Sequence, residues 1–229
     1  MTKSNGIFYG IGVGTGDPEY LTLKAVRLIQ QADVVAYLKS AKGVSIAHDI
    51  AAKWIKEQQK MAILMPYKID RHAANKAYDT AAEQISNYLQ QGLNVAFICE
   101  GDPLFFGSYI YLHQRLSSHY HCEIVAGISS INAATALAQI PLTQQNETLA
   151  IVSSRNTDEE ILNALANYSS VVIMKAGVAR VRLLALIKQS KRLDNTCYIQ
   201  RAGQKGEVVI WDISQLTGKG DYFSIFVIR

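Results

Sequence analysis

Short apolar runs alternate with longer stretches of helical periodicity along most of this chain of 229 residues. The first apolar run, residues 6–13, leads into a glycine-rich loop, and a helical stretch at residues 22–31 follows with Thr22 as its N-cap. Strands that alternate with helices in this way are typical of α/β proteins with parallel strands. We therefore predict a mostly parallel sheet in the first half of the chain.

The second half begins with the same alternation of strands and helices and then changes to consecutive strands, which predicts a mixed sheet. We place the domain boundary where Ser-Ser-His-Tyr-His interrupts the apolar pattern, giving α/β domains at residues 1–118 and 119–229. Strands are predicted at residues 6–13, 34–37, 62–65, 95–99, 123–125, 149–152, 171–174, 197–200, 208–211 and 222–228. Helices are predicted at residues 22–31, 45–57, 70–91 (with Asp70 as cap), 108–117, 131–138, 158–166 and 181–188.

Composition narrows the class of protein. With 229 residues, 49% of them hydrophobic, the chain is long enough to bury a core without a metal or disulfide. Cys99, Cys122 and Cys197 have no C-x-x-C spacing, which argues against a disulfide framework or a zinc ribbon and favours a reducing compartment. The polar N-terminus predicts no signal peptide, and no apolar run reaches the ~20 residues of a membrane span. We expect a cytoplasmic protein.

Three loops that follow predicted strands carry the candidate chemistry, because α/β sheets bind ligands beyond the carboxyl ends of their strands. The first, residues 10–18, is not a dinucleotide fingerprint, since Thr15 or Asp17 stands where the third glycine is required. The second is the acidic Gly-Pro loop at residues 100–107, and the third, residues 126–130, opens a helix. Taken singly, each loop is also explained by a tight turn, an Asp-Pro turn or an N-cap.

Together, the three loops resemble those of the tetrapyrrole methylases, also called class III methyltransferases. The similar motifs are G-x-G-x-G-D with L-T-x-x-A at residues 12–25, G-D-P at 101–103, G-I-S at 127–129 and I-P-L-T at 140–143. Thr15 and Ala126 stand where the family usually has proline. The resemblance covers nearly the whole chain and implies a two-domain fold with an active-site trough between the domains.

The resemblance also implies an S-adenosylmethionine-dependent methyltransferase that forms a homodimer. Carried over position by position, the cofactor contacts are Thr15, Glu100, Gly101, Asp102, Phe105, Ser129, Ser130, Met174 and Ala202. Met174 taken alone is more often a core residue than a ligand contact. No catalytic base stands out, because methyl transfer from a sulfonium depends mainly on alignment.

Within the family, residues 34–47, 65–70 and 100–108 resemble the branch that methylates precorrin-2, or its cobalt complex, at carbon 20. Such a substrate carries many carboxylates, for which the candidate cations are Lys39, Lys42, Arg71 and Arg155, although plain surface charge explains each equally well.

Other interpretations remain open. A different corrin methylase, an rRNA methyltransferase, or a member that binds cofactor or tetrapyrrole without turnover would carry similar motifs. The net charge of +4 is scattered and forms no dense basic stripe, so we expect no nucleic-acid partner. His119, His121 and Cys122 invite a metal site, but nothing nearby completes a ligand set, and we predict none.

Overall fold

Two five-stranded sheets form in the residues that a computed structural model describes, 4–66 and 71–229. The chain divides into two compact units, Met1–Ser129 and Ser130–Arg229, and each contains one sheet. None of the helices in the described ranges is long and apolar enough to cross a membrane.

All strand pairs of the first sheet are parallel, in the order β3-β2-β4-β1-β5, which confirms the predicted parallel sheet. Its strands are β1 (Phe8–Gly12), β2 (Val34–Lys39), β3 (Gln59–Leu64), β4 (Val95–Cys99) and β5 (Cys122–Val125). Its helices are α1 (Leu23–Gln31), α2 (Ile46–Ala51), α3 (Arg71–Gln90) and α4 (Tyr109–Leu116).

Both faces of this sheet are buried. On β4, Phe97 faces a core built with α3 and α4, and its neighbour Ile98 faces a core built with α1 and α2. This alternation follows from the two-residue period of a strand. A sheet covered on both faces explains why the strands are almost entirely apolar.

The second sheet is mixed, as predicted, with the order β6-β7-β10-β8-β9. Here β6 runs parallel to β7, whereas β10 is antiparallel to β7 and β8, and β9 is antiparallel to β8. Its strands are β6 (Leu149–Ser153), β7 (Ser170–Met174), β8 (Thr196–Gln200), β9 (Val208–Ile210) and β10 (Ser224–Ile228). Its helices are α5 (Ser130–Ala138), α6 (Asp158–Asn167) and α7 (Arg180–Gln189).

The division between the units lies later than the predicted boundary at residue 118. The strand β5 pairs with β1, from Phe8 opposite Cys122 to Ile11 opposite Val125. This pairing joins residues 119–129 to the first unit, so that the second unit begins at Ser130. Local composition does not report such a long-range pairing.

The predicted helix at residues 45–57 is too long. After α2, the chain forms one 3₁₀ turn at Ala52–Trp54 and enters β3 at Gln59. The Gln58 side chain donates to the carbonyls of Ile29 and Gln30 near the end of α1, both at 3.1 Å, and so holds the connection extended. Tertiary hydrogen bonds therefore outweigh the local helical pattern.

Helix starts agree with their capping residues. The Thr22 hydroxyl accepts from the Ala25 N–H at 3.1 Å, as predicted for the cap of α1. At α6, Thr157 and Glu160 form a reciprocal capping box. The predicted cap Asp70 lies outside the described residues.

Candidate functional site

The carboxyl ends of β1 and β4 lie side by side, with Gly12 paired to Cys99. The connection after β1 leads through α1, whereas the one after β4 leads through α4, and these helices cover opposite faces of the sheet. Adjacent strands whose connections diverge in this way open a crevice beyond their carboxyl ends, where α/β sheets bind ligands.

Three glycines, one from each predicted loop, bring the backbones into contact at this crevice. A Cβ added to Gly12 would lie 2.5 Å from the Gly101 carbonyl oxygen and 2.7 Å from Gly127 Cα. A Cβ added to Gly127 would lie 2.1 Å from the same oxygen. Only glycine permits this approach at both positions. The loops that the sequence identified separately thus form one assembly.

The first loop is tied to the second by backbone hydrogen bonds. The Val13 N–H donates to the Cys99 carbonyl at 3.0 Å. Gly14 and Gly101 bond reciprocally, at 3.4 Å from the Gly14 N–H and 2.7 Å from the Gly101 N–H. Thr15 follows and is buried. Asp17 of the G-x-G-D motif caps the short 3₁₀ turn that begins at Pro18, because its side chain accepts from the Glu19 N–H.

Asp102 joins the second loop to the third. One carboxylate oxygen accepts from the Leu104 N–H at 2.9 Å, and the other accepts from the Gly127 N–H at 3.1 Å. Sequence reasoning predicted a cofactor contact at Asp102. The structure shows that this carboxylate fixes the spacing of two loops, and the cofactor contact stays a prediction.

Glu100 and Gly101 border the open part of this assembly. The Glu100 carboxylate accepts from the Ala47 N–H of α2 at 3.2 Å. Glu100 retains contact with solvent, yet desolvation by the surrounding protein atoms raises the pKa of its carboxyl. Gly101 has φ +67, and no atom lies within 4 Å of the position that its Cβ would take. A ligand can therefore approach the Gly101 backbone.

The remaining predicted contacts near these loops are Phe105, Ser129 and Ser130. The Phe105 ring packs edge-on against the Phe106 ring, with centroids 5.2 Å apart. Phe106 adopts a left-handed φ of 54°, which is uncommon for an aromatic residue. Ser129 is the last residue of the first unit, Ser130 is the first residue of α5, and both are partly exposed.

Met174 and Ala202 lie at the same end of the second sheet, where β7 and β8 terminate. Met174 ends β7 opposite Ile225, and Gln200, which ends β8, lies opposite Ser224 of the intervening strand β10. Met174 is only 7% exposed, and its backbone carbonyl accepts from the Ser154 N–H at 2.9 Å. Ala202, just after β8, is partly exposed.

The predicted substrate cations fall in two places. Lys39 ends β2, and Lys42 is exposed on the tight turn closed by the Gly43 N–H and the Ser40 carbonyl at 2.9 Å. Arg155 is exposed just after β6 in the second unit. Arg71 is the first residue of α3, but its side chain lies outside the described part of the structure.

Sequence reasoning missed Lys175, which directly follows the buried strand β7. Its backbone takes a left-handed φ of 57°. Desolvation lowers the pKa of its ammonium group, and the nearby charge of Arg155 lowers it further. A lysine directly after a buried, largely apolar strand was the available signal in the sequence.

Comparison with known proteins identifies the family that this arrangement resembles. Residues 8–217 match the family described as Tetrapyrrole (Corrin/Porphyrin) Methylases. The precorrin-2 C(20)-methyltransferase of Sinorhizobium sp is 31% identical over 97% of this chain and 95% of its own length. The cobalamin biosynthesis protein CobIJ of Mycobacterium bovis is 34% identical over 91% of this chain. The chain spans only 43% of the length of that relative.

Solved structures show the same fold. The uroporphyrin-III C-methyl transferase of Thermus thermophilus, complexed with S-adenyl homocysteine, superposes with a TM-score of 0.70. That match covers 97% of both chains at 21% sequence identity. The predicted two-domain α/β fold is thereby confirmed.

Proposed function

Because this chain belongs to the tetrapyrrole (corrin/porphyrin) methylases, we propose that it transfers a methyl group from S-adenosylmethionine to carbon 20 of precorrin-2 or its cobalt complex. The observation that carries the proposal is the contact among Gly12, Gly101 and Gly127 at the carboxyl ends of β1, β4 and β5. The relative from Sinorhizobium, matched over almost its full length, supports the choice of substrate. The reaction belongs to cobalamin biosynthesis.

We propose that the glycine assembly of the first unit binds the methyl donor. The open space beside Gly101 lets a ligand reach the backbone, and the carboxylate of Glu100 accepts hydrogen bonds from amino or hydroxyl groups. Thr15, Asp102, Phe105 and Ser129 belong to the same three loops and are further proposed contacts. Ser130, Met174 and Ala202 remain predicted contacts.

When bound, S-adenosylmethionine supplies a methyl group on a positively charged sulfur. The proposed transfer would form a carbon–carbon bond at carbon 20 as the carbon–sulfur bond breaks, and the proton of carbon 20 would pass to water. The electron-rich ring system supplies the electron pair, so the chain needs no strong base. Alignment of the reacting atoms lowers such a barrier by on the order of 7–11 kcal/mol. Rigid loops are suited to that task.

We propose that cationic side chains bind the carboxylates of the tetrapyrrole. Lys39 is the last residue of β2 and Lys42 lies in the loop that follows, which leads into α2, the helix whose Ala47 N–H donates to Glu100. Arg155 is carried by the loop after β6. The contact of Arg71 with a substrate carboxylate stays a prediction. A carboxylate bonded to a cation is held more strongly than one bonded to a neutral donor.

The test is methyl transfer by the purified chain to precorrin-2 and, in parallel, to cobalt-precorrin-2. Mass spectrometry should show the gain of one methyl group, and a shift in the ultraviolet-visible spectrum should accompany it. The better acceptor identifies the substrate. If neither acceptor is methylated while calorimetry shows binding of S-adenosylhomocysteine, the choice of substrate is wrong and the family chemistry stands.

We further propose a cytoplasmic homodimer, as the resemblance to the family implies. Light scattering on the purified protein tests the dimer. A mass equal to that of one chain, 25.3 kDa, at micromolar concentration would contradict it.

A further inference from the structure

Two cationic side chains stand at the ends of neighbouring parallel strands in the second sheet. Ser153 of β6 is paired with Met174 of β7, so the loops that leave the two strands begin side by side. Arg155 follows the end of β6, and Lys175 follows the end of β7. The predicted cofactor contact Met174 lies at the same end of these strands.

Hydrogen bonds hold the backbones of these two loops together. The Ser154 N–H donates to the Met174 carbonyl at 2.9 Å, and the Ser154 hydroxyl donates to the Lys175 carbonyl at 2.8 Å. The Arg155 N–H donates to the Ser153 hydroxyl at 3.2 Å. The positions from which both side chains extend are therefore determined by the fold.

The chain after Lys175 is also constrained. The Ala176 N–H donates to the Ser224 carbonyl at 3.0 Å. A Cβ on Gly177 would lie 1.7 Å from the Asp221 carbonyl oxygen, so the backbone packs closely there. These contacts hold Lys175 at its left-handed φ of 57°, which is unfavourable for a lysine and needs support from its surroundings.

The arrangement brings like charges together. Lys175 is partly buried and lies within electrostatic range of Arg155, and both effects oppose its positive charge. A carboxylate has two oxygens, which can accept hydrogen bonds from two cationic donors at once.

We propose that Arg155 and Lys175 together bind one carboxylate of the tetrapyrrole substrate. The inference rests on the proposed function and deepens it, because it adds Lys175 to the substrate contacts and pairs it with a named partner. The role is one of binding and positioning: the pair holds a peripheral carboxylate and takes no part in the bond changes at carbon 20.

The variants Lys175→Asn and Arg155→Gln test the pair. Asparagine tolerates a left-handed φ better than lysine does, so Lys175→Asn removes the charge without adding backbone strain. Each single variant should raise the KM for the tetrapyrrole about tenfold, as expected for the loss of one charge-assisted hydrogen bond. The kcat and the Kd for S-adenosylhomocysteine should stay unchanged, because the contact is equal in the ground and transition states.

Lys191→Asn is the matched control. Lys191 also has a left-handed φ, of 60°. It lies between α7 and β8, at the opposite end of the strands of the same sheet. Its substitution should leave the KM unchanged. Lys175→Arg should restore most of the affinity, and the KM of the double variant should depend less on salt than that of the wild type.

An unchanged KM in both single variants would overturn the pairing, as would an equal rise in Lys191→Asn. If the wild-type chain methylates neither acceptor, the proposed function is wrong, and the pair needs a test that does not depend on methyl transfer. The pair is then tested by absorbance titration with uroporphyrin III, a stable polycarboxylate tetrapyrrole. Weaker binding by both single variants and by the double variant, with Lys191→Asn unchanged, would support the site, and equal binding by all variants would overturn it.

Discussion

At Gly127, the fold leaves no room for a side chain. A Cβ there would lie 2.1 Å from the Gly101 carbonyl oxygen and 2.8 Å from Gly12 Cα. Both neighbours are backbone atoms, so relief requires the loops to separate. We expect Gly127→Ala to abolish binding of S-adenosylhomocysteine in calorimetry, and with it methyl transfer.

Gly206→Asn is the control for this substitution. Gly206 also lies in a loop, with φ +83, but nothing lies within 4 Å of its Cβ position. Asparagine accepts this backbone conformation better than other side chains do. Binding should be preserved in the control. Equal loss in both variants would mean that general destabilisation, and not the convergence of loops, explains the effect.

Asp102 has a structural role that a cofactor contact alone would not require. Asp102→Ala removes the acceptors for the N–H groups of Leu104 and Gly127. We expect the free energy of unfolding of the ligand-free protein to fall by about 1–3 kcal/mol, measured by urea denaturation. Asp49→Ala, at an exposed carboxylate on α2, should change it little. Unchanged stability of Asp102→Ala would leave Asp102 as a ligand contact only.

At the scale of elements, the hydrogen bonds of Glu160 at the start of α6 make the free energy of unfolding depend on pH. The Glu160 carboxylate accepts from the Thr157 N–H at 2.8 Å and from the Asn156 side chain at 3.1 Å, and these bonds lower its pKa. A lowered pKa in the folded state means that the stabilisation is complete above the unfolded pKa and is lost as pH falls through the folded one.

Glu160→Gln removes this contribution. The stability difference between wild type and variant should shrink as pH falls from about 5 towards 3, measured by urea denaturation at each pH. Glu159→Gln changes a carboxylate in the same turn outside the capping box and serves as the control. A difference for Glu160→Gln that does not vary with pH would contradict the assignment.

Elements were predicted well where local signals decide them. Thr22 caps α1 and Gly92 follows the end of α3, as the pattern indicates. The prediction failed at α2, where Gln58 bonds to the end of α1, a partner that lies about 28 residues away in sequence. Helical periodicity contains no information about such a distant partner.

At the scale of the whole molecule, ligand binding should increase the free energy of unfolding. A ligand that binds only the folded protein raises the free energy of unfolding, by about 2.7 kcal/mol at a free concentration 100 times its Kd. S-adenosylhomocysteine should therefore raise the melting temperature of the wild type and leave that of Gly127→Ala unchanged. No rise in the wild type would contradict the proposed donor site.

The sequence by itself determined the α/β class, most strands and helices, and the three loops that carry the chemistry, because periodicity, caps and glycine motifs act over a few residues. The tertiary structure alone decided that Gly12, Gly101 and Gly127 touch, that Asp102 joins two loops, and that β5 belongs to the first unit. It also brought the loops that carry Arg155 and Lys175 side by side. These features arise from strand pairing between residues far apart in the chain, which local patterns do not encode.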